Sequence, residues 1–235
     1  MKTISTIIIA FIMTITASCN HTSATTRVEH SSGIVAYYPQ FTSIDLAVEQ
    51  MPAAGADSVI FCCEAAFTGE LLDSFKHTNI ADNHIAGGTL YKGYTCPANT
   101  GAFSFFNDGS WSFSADKRFD LSRHPIMAFC QRLLIINGVT QPVWNVLRDK
   151  RTIYRALCEK NGQLCLVQTT QVDTYARFIA LLEQYQVDNA IYLDMGAGWN
   201  YAWYRDSNDK IIEIFPESKQ APNYRYRTNW LVFKR

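Results

Sequence analysis

Three groups of residues have the types and spacing to do chemistry. The sharpest is Leu193-Asp194-Met195-Gly196-Ala197-Gly198-Trp199-Asn200, an apolar stretch that ends in a carboxylate followed by two glycines. The end of a strand beside a helical crossover is where open α/β sheets place ligands. Glycines there let the backbone turn sharply or approach a ligand closely. Read structurally, Asp194 caps a turn that Gly196 and Gly198 make. The second group is Glu64, a lone carboxylate inside the apolar run 58–67, SVIFCCEAAF. An unpaired buried charge is costly, so Glu64 needs a strand-end position in water, an arginine partner or a function. If Glu64 and Asp194 met in one cleft, they would form a carboxylate pair suited to cleaving a glycosidic bond. The third group is Arg151 and Arg155 in Lys150-Arg151-Thr152-Ile153-Tyr154-Arg155. An arginine in a strand offers a rigid fork for phosphate or carboxylate, or else belongs to a solvated edge strand. His77, Asp82 and His84 offer ligands for a divalent metal, but their spacing matches no known signature, and no cofactor is assigned. The sequence has no P-loop, dinucleotide fingerprint, nucleophile elbow or HExxH motif.

The elements that must position these residues are mostly strands. Residues 33–39 and 58–67 read as strands, with residues 42–51 ambiguous between them. Residues 68–88 show no period, and their length marks them as an ordered functional loop. Residues 101–114 form a hairpin around Asn107-Asp108-Gly109, and residues 126–136 form a strand ending at Asn137-Gly138. Asn161-Gly162 is a two-residue hairpin signal between strands 152–158 and 163–169. Pairing outward from that turn sets Lys160 against Gln163, Glu159 against Leu164 and Cys158 against Cys165. Phe178, Ile179, Leu181, Leu182 and Tyr185 share one helical face, with Asp173 as N-cap. Residues 189–194, 199–205, 211–215 and 229–234 return to strand. Strand, helix, strand predicts a βαβ crossover in the C-terminal third. The expected fold is α+β, a single domain with a large mixed sheet.

Composition bounds the function. The chain has 235 residues, with 21 Lys and Arg against 21 Asp and Glu. That balance excludes a basic nucleic-acid clamp and an acidic tail. Hydrophobic residues make up 48% and charged residues 18%, which is globular rather than disordered composition. The aromatic content of 13% suits a β-rich protein or a sugar-facing surface. Lys2, the apolar stretch Ile7 to Ile15 and the small residues before Cys19 read as an export signal over residues 1–19. Cys19 stands where a bacterial lipoprotein receives lipid; an ordinary secretory signal cut nearby is the alternative. Residues 20–32 read as a Ser/Thr-rich tether to the membrane, which places residues 33–235 in the cell envelope, facing the periplasm or the cell surface. The later cysteines form no CxxC pair. Cys158 and Cys165 read either as a cross-strand disulfide or as two buried free thiols.

Ile191-Tyr192-Leu193-Asp194-Met195-Gly196-Ala197-Gly198 resembles the Leu-Asp-Gly-Gly-Gly-Ser stretch of the phosphodiester glycosidase family. Glu64-Ala65-Ala66-Phe67 matches in position that family's Asn-Gly-Gly-Phe or Asn-Ala-Gly-Met motif at the end of an early strand. Arg151-Thr152 through Gly162 matches its Arg-Thr hairpin, and a helix then leads to the Asp-Gly strand. Glu64 stands in place of the family's Asn, Met195 in place of a Gly, and Trp199 where a Ser is usual, which resembles a divergent bacterial branch. The resemblance implies a hydrolase that cleaves a sugar from a glycosyl phosphodiester, or a glycan-binding lipoprotein that keeps the fold without the reaction. It implies Asp194 or Glu64 as the group that activates water or attacks the anomeric carbon. Arg155 or Arg151 would bind the phosphate. His84, Gly196, Gly198, Trp199 and Asn200 would contact substrate. Trp199, Tyr201 and Trp203 would then form a sugar-stacking wall, or else pack in the core. The implied partner is a carbohydrate or glycosyl phosphate, not a nucleic acid.

Overall fold

The computed structural model describes residues 25–142, 150–196 and 199–235. Three antiparallel sheets carry the fold. The first has seven strands in the spatial order β1 (Thr26–Ser31), β2 (Ile34–Pro39), β14 (Gln163–Thr169), β13 (Arg155–Lys160), β16 (Asn189–Tyr192), β10 (Leu133–Ile136) and β11 (Val139–Thr140). The second has five, β18 (Ile211–Ile214), β17 (Ala202–Arg205), β4 (Val59–Glu64), β19 (Thr228–Lys234) and β3 (Ser43–Glu49). The third has β6 (Thr89–Tyr91), β5 (His84–Ala86), β9 (Pro125–Gln131), β7 (Gly101–Phe106) and β8 (Trp111–Ser114). A two-residue pair, β12 (Arg151–Thr152) and β15 (Asp173–Thr174), leads into the helix α1 (Tyr175–Gln184). The α+β class therefore holds, with strands far outnumbering helix. No helix of the described residues is long and apolar enough to cross a membrane.

The turns form where the small polar and glycine residues require them. Asn161 and Gly162 both take positive φ, 51° and 69°, the mirror-image turn that matches strand twist. Pairing outward from it sets Cys158 opposite Cys165, as the turn dictates, and both thiols are buried and free. Asn137 and Gly138 repeat the device between β10 and β11.

Four expectations are revised. The segment expected to be a tether is paired structure from Thr26 to Ser31, where β1 lies in full register against β2. The helix is capped by Thr174, whose side chain accepts from the Arg177 backbone N–H at 3.2 Å, and not by Asp173. The single strand expected over 126–136 splits at Arg132, so β9 joins the third sheet and β10 the first. The crossover β14–α1–β16 does join two strands that run the same way. However, β13 lies between them and is antiparallel to both, so the ladders of this sheet are antiparallel rather than mixed.

Alternation along the strands builds two cores on the first sheet. Leu157, Leu166, Tyr37 and Val35 face the central core with Phe61, Phe103, Phe129 and Phe233 from the other sheets. Ala156, Cys158, Cys165 and Val167 face the helix, where Phe178, Leu181 and Leu182 cover them. Burial of each large side chain contributes about 1.5–3 kcal/mol. The outer face of the second sheet holds a third cluster around Trp199, Trp203 and Trp230.

Candidate active site

Three chain positions converge where the first and second sheets meet. Glu64 ends β4, Arg155 begins β13, and Asp194 follows β16 by two residues. Backbone hydrogen bonds lock this corner: Leu193 N–H donates to the Arg155 carbonyl at 3.1 Å, and Asp194 N–H donates to the Ala65 carbonyl at 3.0 Å. The sequence places these residues far apart; the ladder of β13 with β16 and the end of β4 bring them together.

Arg155 is fully buried and ion-paired with Glu64, which is fully buried too. Its Nε donates to Gln168 Oε1 at 2.8 Å, and its Nη2 donates to the Asn200 carbonyl at 3.0 Å. Gln168 lies directly opposite Arg155 in the β13–β14 register, which is why it can take that role. Burial pushes the Glu64 carboxyl above the usual carboxylate range, the Arg155 guanidinium pulls it back, and the nearby Asp194 charge adds to the rise. Arg155 cannot shed its own proton, so a neutral Glu64 would strand a buried cation. The two therefore form an ion pair. Glu64 Oε2 has no hydrogen-bond partner among the described residues.

Asp194 differs. It is densely surrounded by protein yet keeps part of its surface open to water. Burial raises its carboxyl from 3.8 to about 7, while the Thr68 N–H, 3.3 Å from Oδ2, and the charge of Lys150 hold it down. A carboxyl poised near neutrality can both donate and accept a proton.

The loop that follows Glu64 is held by a residue that sequence reasoning missed. Asn229 of β19, 1% exposed, accepts from Ala66 N–H at 2.7 Å and donates to the Ala66 carbonyl at 3.0 Å. This two-point clamp orients Ala65 and Thr68 toward Asp194. Lys150, Thr68 and Gln168 were also missed. Lys150 immediately precedes the Arg-Thr pair and Thr68 immediately follows Glu64-Ala65-Ala66-Phe67, whereas Gln168 carries no local signal.

The remaining expected site residues fall differently. Arg151 is exposed on β12, opposite Thr174, and has no contact with Glu64 or Asp194 among the described residues. Trp199, Tyr201 and Trp203 are 5%, 4% and 0% exposed, so the expected sugar-stacking wall is instead the third core cluster. Asn200 joins the site through its backbone carbonyl, not its side chain. Gly196 follows Asp194 by two residues and lies beside the Trp199 ring, and Gly198 lies outside the described residues. His84 is buried in a separate stack, with its Nε2 2.9 Å from His77 Nδ1 and the Tyr91 ring over both imidazoles. Asp82, grouped with those histidines as a candidate metal ligand, instead pairs with Lys117 at 2.8 Å and Asn99 at 2.9 Å. Among the described residues no group of three or more His, Cys, Asp or Glu is placed to hold a metal.

The fold and this corner define a β-rich domain with one carboxylate at the surface of a buried charged network. In fold, the chain is similar to the catalytic domain of zebrafish N-acetylglucosamine-1-phosphodiester alpha-N-acetylglucosaminidase, solved auto-inhibited by its pro-peptide. The TM-score is 0.59 at 14% identity, over 90% of this chain and 83% of that one. A hypothetical protein from Synechocystis aligns at TM-score 0.45 and 12% identity, over 89% of this chain and 61% of that one. No protein-family model and no curated protein matches the chain.

Proposed function

We propose that this chain is a hydrolase of the phosphodiester-glycosidase type that releases a sugar from a glycosyl phosphodiester. The observation that carries the reading is the convergence of Glu64, Arg155 and Asp194 at one corner, with Asp194 alone open to water and held near neutrality. In the reaction, a water oxygen bonds to the anomeric carbon as the bond to the phosphate oxygen breaks. The bonding pair leaves with the phosphate monoester, and the water proton passes to Asp194. A phosphate monoester leaves without protonation, so one base is enough. Lys150, whose charge reaches Asp194, is the cation best placed to meet the substrate phosphate. Arg155 is then a positioning residue, holding Glu64 and the Asn200 backbone. The amino-terminal run through Cys19 supports export and lipid anchoring of this activity; Cys19 lies outside the described residues.

A second reading has its own observation. The Glu64–Arg155 pair is sealed in the interior, which withholds from substrate the arginine that the resemblance assigns to phosphate. That favours a glycan-binding envelope protein without turnover. The two readings separate in one assay of the full chain on a panel of sugar-1-phosphodiesters. The hydrolase reading expects turnover that falls by about 100-fold or more in Asp194→Asn, the range of lost general-base catalysis. Absence of turnover across the panel, with sugar binding retained by calorimetry, would establish the binding reading instead.

A further inference from the structure

A cleft whose lining does not include Asp194 lies between the open edge of the first sheet at β1 and the open edge of the second at β18. Its volume is about 290 Å³, near the lower end of the range for small-molecule sites, roughly 300–1,000 Å³. Strand register fixes its floor. His30 pairs with Val35, Val35 with Gln168, and Gln168 with Arg155, so one row of side chains runs from the outer edge inward to the ion pair.

Two polar groups on that floor lack partners. Gln168 is 2% exposed and gives its carbonyl oxygen to Arg155, so its amide nitrogen has no partner among the described residues. Tyr37 is 6% exposed, and its hydroxyl likewise has no hydrogen-bond partner among the described residues. Both line the cleft. Neither atom is sealed from water, so both are free to exchange a water for a ligand oxygen in the cleft.

The walls are aromatic. Tyr204 lies beside Tyr37 with ring centroids 5.3 Å apart, and its ring is stacked on Phe61 behind it. Phe215, across the cleft, is held at φ 51°, a left-handed conformation that costs a bulky residue about 1–2 kcal/mol. Charge is spent elsewhere. Arg155 is committed to Glu64, and the rim carboxylate Glu213 is paired with Lys219 at 2.6 Å and accepts from the Tyr201 hydroxyl at 2.6 Å. Only His30 among the lining residues can bring a free positive charge. The cleft therefore does not suit a phosphate.

We propose that this cleft binds an uncharged, hydroxylated ring the size of a hexose, with an apolar face on Tyr204 and Phe215 and hydroxyls toward Gln168 and Tyr37. The site goes beyond the hydrolase reading and does not require the Asp194 chemistry. Its floor shares Gln168 with the Arg155 network, so occupancy bears on the same ion pair.

Saturation-transfer NMR and calorimetry on the full chain test it, with glucose, mannose and N-acetylglucosamine as probes and glycerol and inorganic phosphate as controls. At least one sugar is expected to bind saturably and both controls weakly. Tyr37→Phe, which removes only the hydroxyl, is expected to weaken that sugar about 5-fold, and Tyr204→Ala about 10-fold, the scale of one hydrogen bond and one ring face. Asp194→Asn is expected to leave sugar affinity unchanged. The proposal is overturned if no sugar binds, if phosphate binds as well as the sugar, or if Tyr37→Phe with an unchanged melting temperature has no effect. Loss of sugar binding in Asp194→Asn would also overturn it, moving the sugar to the Asp194 corner and leaving the hydrolase reading standing.

Discussion

Arg155 on β13 and Glu64 at the end of β4 form an ion pair whose side chains are 0% and 1% exposed, which ties the first sheet to the second at the candidate site. Such a pair gains little over a well-packed apolar pair, because desolvation offsets the attraction. Its worth lies in the geometry it enforces on the Asn200 carbonyl and on Gln168.

Removing one partner leaves the other charge buried and alone. Arg155→Met is expected to lose about 3–5 kcal/mol of stability in urea unfolding, and Glu64→Leu a similar amount. The double variant is expected to recover most of that loss. A double variant as unstable as the sum of the two would show that the pair is not coupled as described.

The raised carboxyl of Asp194 sets a pH dependence. Its folded-state pKa, about 7, lies above the unfolded value near 3.8, so the folded state holds the proton more tightly. The resulting stabilisation is complete below the unfolded value and is lost as pH rises through about 7. Asp194→Asn is therefore expected to be more stable than the natural chain at pH 8, by on the order of 1–2 kcal/mol, because part of the carboxylate still reaches water. Near pH 4 the difference should vanish. Thermal melts at the two pH values check the sign.

Asn229 supplies two hydrogen bonds to one residue of the Glu64 loop, Ala66, and nothing else described satisfies that residue's backbone. Asn229→Ala is expected to cost about 2–3 kcal/mol, since it strands a buried N–H and a buried carbonyl. Amide exchange at Ala66 should quicken more than at Phe233, far along the same strand, if the clamp acts locally.

The paired histidines respond to acid. Burial, with the neighbouring His77 adding to it, lowers His84 from 6.5 to about 4. Its contribution to stability is present above about 6.5 and is lost as pH falls toward about 4, because the unfolded chain takes up the proton first. An NMR titration should show the His84 ring unprotonated at pH 5.5, with His77 titrating before it. A His84 ring that titrates near 6.5 would mean that the stack with Tyr91 does not hold in solution.

The local rules read directly from the residues. Asn161-Gly162 determined a two-residue turn and hence the opposition of Cys158 and Cys165, because only positive-φ residues close that hairpin. The apolar face of Phe178, Ile179, Leu181 and Leu182 determined the helix and the sheet face it covers. The carboxylate inside the β4 run announced a partner, because a buried charge without one is untenable. Tertiary structure alone decided which partner. Glu64 is 91 residues from Arg155, and the same requirement could have been met by water at a strand end. Tertiary structure also turned the tryptophans after Asp194 inward, since an aromatic that alternates along a strand faces core or solvent according to what the next sheet covers. The role of Asn229 had no local signature at all. A side chain that clamps a distant backbone does so only once β19 lies beside β4, and strand order is set by long-range pairing, which residue type and spacing do not encode.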